Sequence, residues 1–241
     1  FGKNGKATAK YVSQVVTAMK KAGMGSVLKH FPGYGNNVDT HTGISYDNRD
    51  YSTFETSDFL PFEAGIKAGA DCILVSHNIV ACMDEAMPAS LSPEVHRILR
   101  EELGFTGVTV TDDLYMDGIR DFVDVEGAAV QAVLAGNDLL CCTDFEVQIP
   151  AVLAAVEQGV VPETRVDEAV RRILTLKAEA GAAGVRRMDA AMTAQKEKAR
   201  PVHPLKGEGR AALFVQRCVY FGMDLGYLPT FLNKKPFGCR W

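Results

Sequence analysis

Residues 92–114, SPEVHRILREELGFTGVTVTDDL, contain the clearest helix-to-strand transition in the chain. Ser92 is a preferred N-cap residue, Pro93 suits the first helical position, and Gly104 suits the end of the helix. The apolar residues between them recur on one helix face: Val95, Ile98, Leu99 and Leu103. GVTVTDDL follows as an apolar run that ends in two aspartates. This segment therefore predicts a helix followed by a strand with carboxylates at its end.

The same alternation continues on both sides of this segment. Apolar runs predict three more strands, SVLKHF at 26–31, CILVSHN at 72–78 and NDLLCC at 137–142. Further helices are predicted at 9–22, 57–69, 125–136, 145–158 and 164–180. Four strands separated by helices are typical of right-handed βαβ units and a parallel sheet, so we predict an α/β protein.

The composition is that of an ordinary globular protein. Of the 241 residues, 47% are hydrophobic and 23% are charged, which is enough apolar mass for one large domain or two small ones. The net charge of −4 provides no broad basic field for nucleic acid or an anionic membrane, so a small neutral or mixed substrate is expected. No apolar run reaches the roughly 20 residues of a membrane span, and no export signal opens the sequence. The sequence leaves the localisation unknown, with the cytoplasm as the default expectation.

The six cysteines show no C-x-x-C spacing; they stand at positions 72, 82, 141, 142, 218 and 239. A chain of this length does not need disulfide bonds to stabilise its core. We predict that most of these cysteines are buried or free thiols. Neither a metal site nor a cofactor is expected.

Polar side chains stand at the carboxyl ends of three successive predicted strands. They are Lys29 and His30 after the first strand, Ser76 and His77 after the second, and Asp112 and Asp113 after the third. Parallel α/β sheets carry their chemistry at this edge. The sequence therefore predicts an active site there.

Asp112 is the first candidate for chemistry, and three roles are open to it. A carboxylate at a strand end could attack an electrophilic carbon, bind a metal, or cap the following helix. Aspartate is a preferred N-cap residue, so capping by Asp112 or Asp113 competes with the catalytic role. Two adjacent aspartates would let one cap while the other reacts.

A second candidate lies in the turn LKHFPGYGNNVDTHTG, residues 28–43. His41 follows Asp39 by two residues, and a carboxylate at that distance can fix the imidazole tautomer and stabilise its charged form. Such a histidine is a suitable proton donor, because its ordinary pKa of about 6.5 is near the working pH. The alternative is a solvated pair of loop residues.

Lys29 and His30 are consecutive, so they would point to opposite sides of a continuing strand. Gly33 and Gly35 indicate a sharp turn just afterwards, which would let both side chains reach one pocket and bind sugar hydroxyls. His77 could join them, or it could be a core histidine bonded to the backbone.

Five segments occur in the order and spacing of a known enzyme family. KHFPGYG, DTH, ILVSH, PASLSPEVHRILREELGFTGVTVTDDLYM and AGNDLL resemble glycoside hydrolase family 3, and most closely its β-N-acetylglucosaminidase (β-hexosaminidase) branch. The resemblance covers residues 1–181. No single segment is specific, but the ordered set is.

The resemblance implies a role for each matching residue. Asp112 would be the nucleophile that forms a glycosyl-enzyme intermediate, and His41, held by Asp39, would be the general acid/base. Sugar hydroxyls would be bound by Lys29 and His30, and His77 would be a pocket histidine. The implied activity is retaining hydrolysis of terminal β-linked N-acetylglucosamine, because family members of the glucosidase type place the acid/base on a second domain. The implied partner is a carbohydrate, such as a peptidoglycan-derived N-acetylglucosaminide.

The family's catalytic domain is an eight-stranded TIM-type barrel, whereas four strands are predicted here. We therefore expect residues 1–181 to form the second half of a (β/α)8 barrel within a longer protein, with 182–241 as an irregular tail. Open barrel edges would favour self-association. Two other functions remain open: a non-catalytic half-barrel that acts as a binding or assembly partner, and a metal-dependent barrel hydrolase. The latter usually needs an H-x-H pair on its first strand, which this chain lacks.

Overall fold

The computed structural model describes residues 4–40 and 43–179, and strands alternate with helices along this part of the chain. The helices are α1 (Gly5–Lys21), α2 (Tyr51–Thr53), α3 (Phe59–Lys67), α4 (Pro93–Arg97), α5 (Asp117–Arg120), α6 (Val125–Ala135), α7 (Phe145–Glu157) and α8 (Glu163–Glu179). The strands are β1 (Val27–Phe31), β2 (Tyr46–Asp47), β3 (Cys72–Val75), β4 (Ile79–Val80), β5 (Val108–Asp113) and β6 (Leu139–Cys141). Wider π-helical turns at Phe54–Asp58 and Ile98–Glu102 adjoin α3 and α4, and a 3₁₀ turn lies at Ala89–Leu91.

The main sheet contains the four predicted strands in the order β1-β3-β5-β6, and every neighbouring pair is parallel. Its register aligns Val27 with Cys72, Cys72 with Val108, and Val110 with Leu139. Each strand therefore ends at the same edge of the sheet. The predicted α/β class is confirmed, and the sheet has half the number of parallel strands in the eight-stranded barrel that the resemblance implies.

Local capping signals account for where two helices begin and where one helical segment ends. The side chain of Asn4 accepts a hydrogen bond from the backbone N–H of Ala7 at 2.9 Å, at the start of α1. Ser92 accepts one from Val95 at 3.2 Å, and Pro93 occupies the first turn of α4, as the sequence predicted. Gly104 ends this helical segment with a φ of +68°, which a glycine adopts without strain.

The core divides into two main apolar clusters. One joins α1, α3, β1 and β3; its fully buried members include Phe31, Phe54 and Ile73. The other packs the alanine-rich face of α6 against α7 and the residues after β5, with Leu114 and Ile119 fully buried. Burial of a large apolar side chain contributes roughly 1.5–3 kcal/mol, so these clusters hold the helices on the sheet.

A charged cluster holds β5, β6 and α8 together near the amino ends of the strands. The carboxylate of Asp138 has no exposed surface and contacts three guanidinium groups, those of Arg100 at 2.8 Å, Arg165 at 3.2 Å and Arg172 at 2.9 Å. It also accepts a hydrogen bond from the backbone N–H of Thr109 at 3.0 Å. These contacts fix the edge of the sheet opposite the predicted active site.

Some elements differ from the sequence prediction. The two-stranded sheet of β2 and β4 was not predicted, because strands of two residues show no periodicity. The helix predicted at 57–69 begins earlier, with α2 and the π-helical turn preceding α3. The segment 182–241, predicted as a tail, lies outside the described residues. No described helix has both the length and the apolarity that crossing a membrane requires. Within the described part of the chain Cys72, Cys82, Cys141 and Cys142 are free thiols.

Candidate active site

Asp112 stands at the carboxyl end of β5 with about a quarter of its side chain open to solvent. One carboxylate oxygen accepts a hydrogen bond from the backbone N–H of Asp113 at 3.0 Å. The other lies 3.7 Å from Nε2 of His30, and the two side chains are 28% and 29% exposed. The ends of β1 and β5 thus bring together two of the predicted site residues from distant parts of the sequence.

Asp113 serves a structural role that leaves Asp112 available. The carboxylate of Asp113 accepts hydrogen bonds from the backbone N–H groups of Tyr115 at 3.0 Å and Thr143 at 3.2 Å, and from the hydroxyl of Thr143. It therefore fixes the turn after β5 to the segment after β6. The helix cap considered for these aspartates is not formed, because Met116 precedes α5 without a side-chain cap and Asp124 caps α6.

His77 lies beneath the site with only 1% of its surface exposed. Its Nε2 lies 3.1 Å from the backbone oxygen of Asp113, so Nε2 must donate, since a carbonyl only accepts. Nδ1 then accepts a hydrogen bond from the hydroxyl of Ser90 at 2.8 Å. Burial lowers the pKa of His77 and favours the neutral ring. Both nitrogens bond to the protein, which matches the predicted alternative of a core histidine bonded to the backbone.

Lys29 and His30 lie at the end of β1, where the strand register shifts between Leu28 and Phe31. Lys29 is exposed, and His30 is partly buried. The His30 ring lies 5.6 Å, centroid to centroid, from the ring of Tyr34. Of the two adjacent residues, His30 is the one that the structure brings to Asp112.

Side-chain hydrogen bonds within the turn after β1, and from the turn to β2, fix its conformation. The hydroxyl of Tyr34 accepts a hydrogen bond from the backbone N–H of Thr40 at 2.9 Å and lies 3.0 Å from the Thr40 hydroxyl oxygen. Asn37 donates from Nδ2 to Asp47 at 2.8 Å. Asp39 is exposed. His41, the predicted acid/base, lies outside the described residues.

The turn also packs against the segment that follows Asp112. A Cβ atom placed on Gly118 of α5 would lie 2.9 Å from the backbone oxygen of Thr40 and 3.0 Å from that of Gly43. Residues on either side of His41 therefore approach the backbone six residues after Asp112. Only a residue without a side chain fits at this contact.

Arg49 anchors the start of the turn. Its guanidinium contacts the carboxylates of Asp47 at 2.7 Å and Asp58 at 3.1 Å, and it donates to the backbone oxygen of Gly33 at 3.4 Å. Burial favours a higher pKa for Asp47, but hydrogen bonds from Arg49 and Asn37 outweigh it and hold that pKa below its usual value. The turn is thereby joined to β2 and to the helical segment before α3.

Several residues of this arrangement were not found from the sequence. Ser90, Thr143, Tyr34 and Arg49 act through partners far along the chain or through loop geometry, which periodicity does not reveal. The paired glycines around Tyr34 were the one available signal, since they indicated a tight turn. Within the described residues no three His, Cys, Asp or Glu side chains are placed to hold a metal ion.

Comparison with known proteins gives a consistent result. Residues 1–176 match the model of the glycosyl hydrolase family 3 N-terminal domain. The chain is 34% identical over 146 residues to a beta-hexosaminidase of Nitrosomonas eutropha, an alignment that covers 60% of this chain and 42% of that protein. It is 38% identical over 134 residues to a beta-hexosaminidase of Xylella fastidiosa strain M23, which covers 55% of this chain and 40% of that protein. The chain thus spans less than half the length of these curated relatives.

Solved structures agree with this assignment. A glycoside hydrolase family 3 beta-N-acetylglucosaminidase from Paenibacillus has a TM-score of 0.69 at 31% identity, with 87% of this chain and 39% of that chain covered. A beta-N-acetylhexosaminidase from Beutenbergia cavernae has a TM-score of 0.65 at 31% identity, with 74% and 54% covered. The family match extends over more than half of the sequence and includes every predicted site residue. The chain described here therefore belongs to glycosyl hydrolase family 3.

Proposed function

We propose that this chain supplies the nucleophile and the acid/base of a retaining glycosidase that removes terminal β-linked N-acetylglucosamine. The observation that carries the proposal is the meeting of Asp112 and His30 at the carboxyl edge of the sheet, 3.7 Å apart. The names of the relatives, beta-hexosaminidase and beta-N-acetylglucosaminidase, support the choice of sugar. Because the chain covers only part of those relatives, the activity is proposed for the protein that contains it.

Asp112 is proposed as the nucleophile. Its carboxylate would attack the anomeric carbon and form a glycosyl ester while the bond to the leaving oxygen breaks. Its neighbour Asp113 has its oxygens occupied by Tyr115 and Thr143, which supports Asp112 as the reactive member of the pair.

His41 is proposed as the general acid/base, with Asp39 fixing its orientation. In the first step its imidazolium would donate a proton to the leaving oxygen. In the second step the neutral ring would take a proton from water, and the water oxygen would attack the anomeric carbon as the ester bond to Asp112 breaks. Two displacements at one carbon leave the anomeric configuration unchanged.

Lys29 and His30 are proposed to bind the sugar hydroxyls. Both stand at the end of β1, and the ring of His30 is close enough to Asp112 for one sugar to contact both. His77 is proposed to act indirectly, since its hydrogen bond to the backbone of Asp113 supports the end of β5 on which Asp112 stands. This assigns it a positioning role in place of the substrate-binding role that was one of its two predicted roles.

The decisive experiment combines turnover with trapping of the intermediate. Asp112→Asn is expected to abolish release of the chromophore from a chromogenic N-acetylglucosaminide, with glucoside and xyloside analogues assayed alongside. Asp117→Asn is the matched control, because Asp117 is an exposed carboxylate five residues away that pairs only loosely with Arg120 at 3.8 Å. A 5-fluoro N-acetylglucosaminide with a good leaving group should label the peptide that contains Asp112, as detected by mass spectrometry. Label on another peptide, or inversion of the first product by NMR, would reject the mechanism.

A role in assembly is the second candidate function. In the described sheet β1 and β6 each have a neighbour on one side only, and Val27 on β1 is 53% exposed. Unpaired strand edges can pair with another chain, so self-association through these edges is proposed. Sedimentation of the purified chain tests it: a folded, inactive oligomer would favour the assembly role, whereas a folded, active monomer would exclude it.

A further inference from the structure

The hydroxyl of Tyr34 contacts Thr40, in the turn after β1, at two atoms. The backbone N–H of Thr40 can only donate, so the phenol oxygen accepts this hydrogen bond at 2.9 Å. The same oxygen lies 3.0 Å from the Thr40 hydroxyl, and either group can donate in that bond. Thr40 is 3% exposed, so water does not readily replace these contacts. Both the backbone and the side chain of Thr40 are thus fixed by a single atom.

Tyr34 is itself held in place on the side of the nucleophile. Gly33 has a φ of +137° and packs so closely on Asp58 that an added Cβ would lie 2.4 Å from the carboxylate. The Tyr34 ring lies 5.6 Å from the ring of His30, which in turn lies 3.7 Å from Asp112. The ring of Tyr34 therefore contacts the end of β1, and its hydroxyl contacts the turn.

Thr40 stands between Asp39 and His41 in the sequence. On the basis of the proposed function, we infer that Tyr34 is a positioning residue: it holds Thr40, the residue between the proposed acid/base and its carboxylate partner in the sequence, at a fixed place relative to Asp112. Its phenol connects the end of β1 that faces the nucleophile with the residue that separates the two members of the pair. The structure gives this role to a residue that does not itself touch the reacting atoms.

The role predicts a specific kinetic signature. Tyr34→Phe removes one oxygen and leaves two buried polar groups of Thr40 without their partner, so the turn can move. Proton donation depends steeply on geometry, whereas attack by Asp112 does not involve the turn. We therefore expect kcat/KM to fall about tenfold or more for N-acetylglucosaminides with poor leaving groups, such as a methyl glycoside. For a 2,4-dinitrophenyl leaving group, which departs without protonation, kcat/KM should fall less than about threefold.

Tyr51→Phe is the matched control. It also removes one phenol oxygen, which donates to Glu102 at 2.7 Å, and Tyr51 lies in no part of the proposed site. This variant should show unchanged turnover with both substrates. Equal far-UV circular dichroism and thermal midpoints for the two variants would establish that both are folded. An equal loss of kcat/KM with both leaving groups in Tyr34→Phe would overturn the inference, because it would indicate a general structural effect.

A second measurement does not depend on catalysis. Hydrogen exchange at the Thr40 amide, followed by mass spectrometry or NMR in the unliganded chain, should accelerate about tenfold or more in Tyr34→Phe and not in Tyr51→Phe. Unchanged exchange at Thr40 would refute the anchoring itself. Absence of turnover in the wild-type chain would count against the proposed function, while the exchange experiment would still decide whether Tyr34 anchors the turn.

Discussion

The carboxylate of Asp138 should be among the most costly side chains to alter in this domain. It is completely buried, and Asp138→Asn would replace one of its oxygens by an NH₂ group that faces the guanidinium groups of Arg100, Arg165 and Arg172. Removing one partner from a buried ionic cluster costs about 3–5 kcal/mol, because the remaining charges lose their counterion. The three arginine side chains are 19%, 14% and 30% exposed, so water offsets part of this loss.

We therefore expect the free energy of unfolding to fall by about 3 kcal/mol in Asp138→Asn, the lower end of that range. Such a loss is a large fraction of the 5–15 kcal/mol that is typical of a domain. Urea unfolding followed by far-UV circular dichroism at pH 7 measures it, and Asp117→Asn serves as the reference. Asp117 and its partner Arg120 are 55% and 44% exposed, so that substitution should cost less than about 1 kcal/mol. Equal midpoints for the two variants would refute the assignment of Asp138 as the central counterion.

Two further predictions concern the site and the pH dependence of stability. Gly118→Ala would place a methyl group 2.9 Å from the backbone oxygen of Thr40, so the turn must shift. Turnover of an N-acetylglucosaminide should then fall about tenfold. Gly25→Ala is the control and should retain full turnover, because the space around Gly25 is open. Burial lowers the pKa values of His77 and His96 below 6.5, so the unfolded chain binds protons that the folded chain does not. The free energy of unfolding should be highest above pH 6.5. Below pH 6.5 it should fall by up to about 1.4 kcal/mol per pH unit for each histidine, until the pH reaches the lower pKa of the folded state. Urea midpoints that do not change between pH 7.5 and 5.5 would contradict this prediction.

The parts of the fold that depend on local signals were predictable. Ser92, Pro93 and Gly104 mark the ends of one helical segment through capping chemistry that involves only neighbouring residues, and the structure confirms all three positions. The four strands of the main sheet were also recognised, because each is a run of apolar residues between helices. By contrast, Tyr46 and Ile79 pair in a second sheet that depends entirely on tertiary contacts.

The site was predictable in its composition but not in its connections. The prediction that His30 and Asp112 lie at one edge of the sheet agrees with the structure, because the carboxyl ends of parallel strands share that edge. The sequence could not show which of Asp112 and Asp113 has its carboxylate oxygens bonded within the protein, because that depends on Thr143, which lies after the next strand. It also could not decide the environment of His77, which is set by a hydroxyl on a separate turn.

The attachments of the turn after β1 have a consequence for protein engineering. Asn37 bonds to Asp47, Arg49 donates to Gly33, and the far end of the turn packs against Gly118, so its supports come from two separate regions of the sequence. Transplanting residues 33–43 alone into a homologous scaffold would leave most of these supports behind. A functional chimera should carry Asp47, Arg49 and Gly118 together with the transplanted loop.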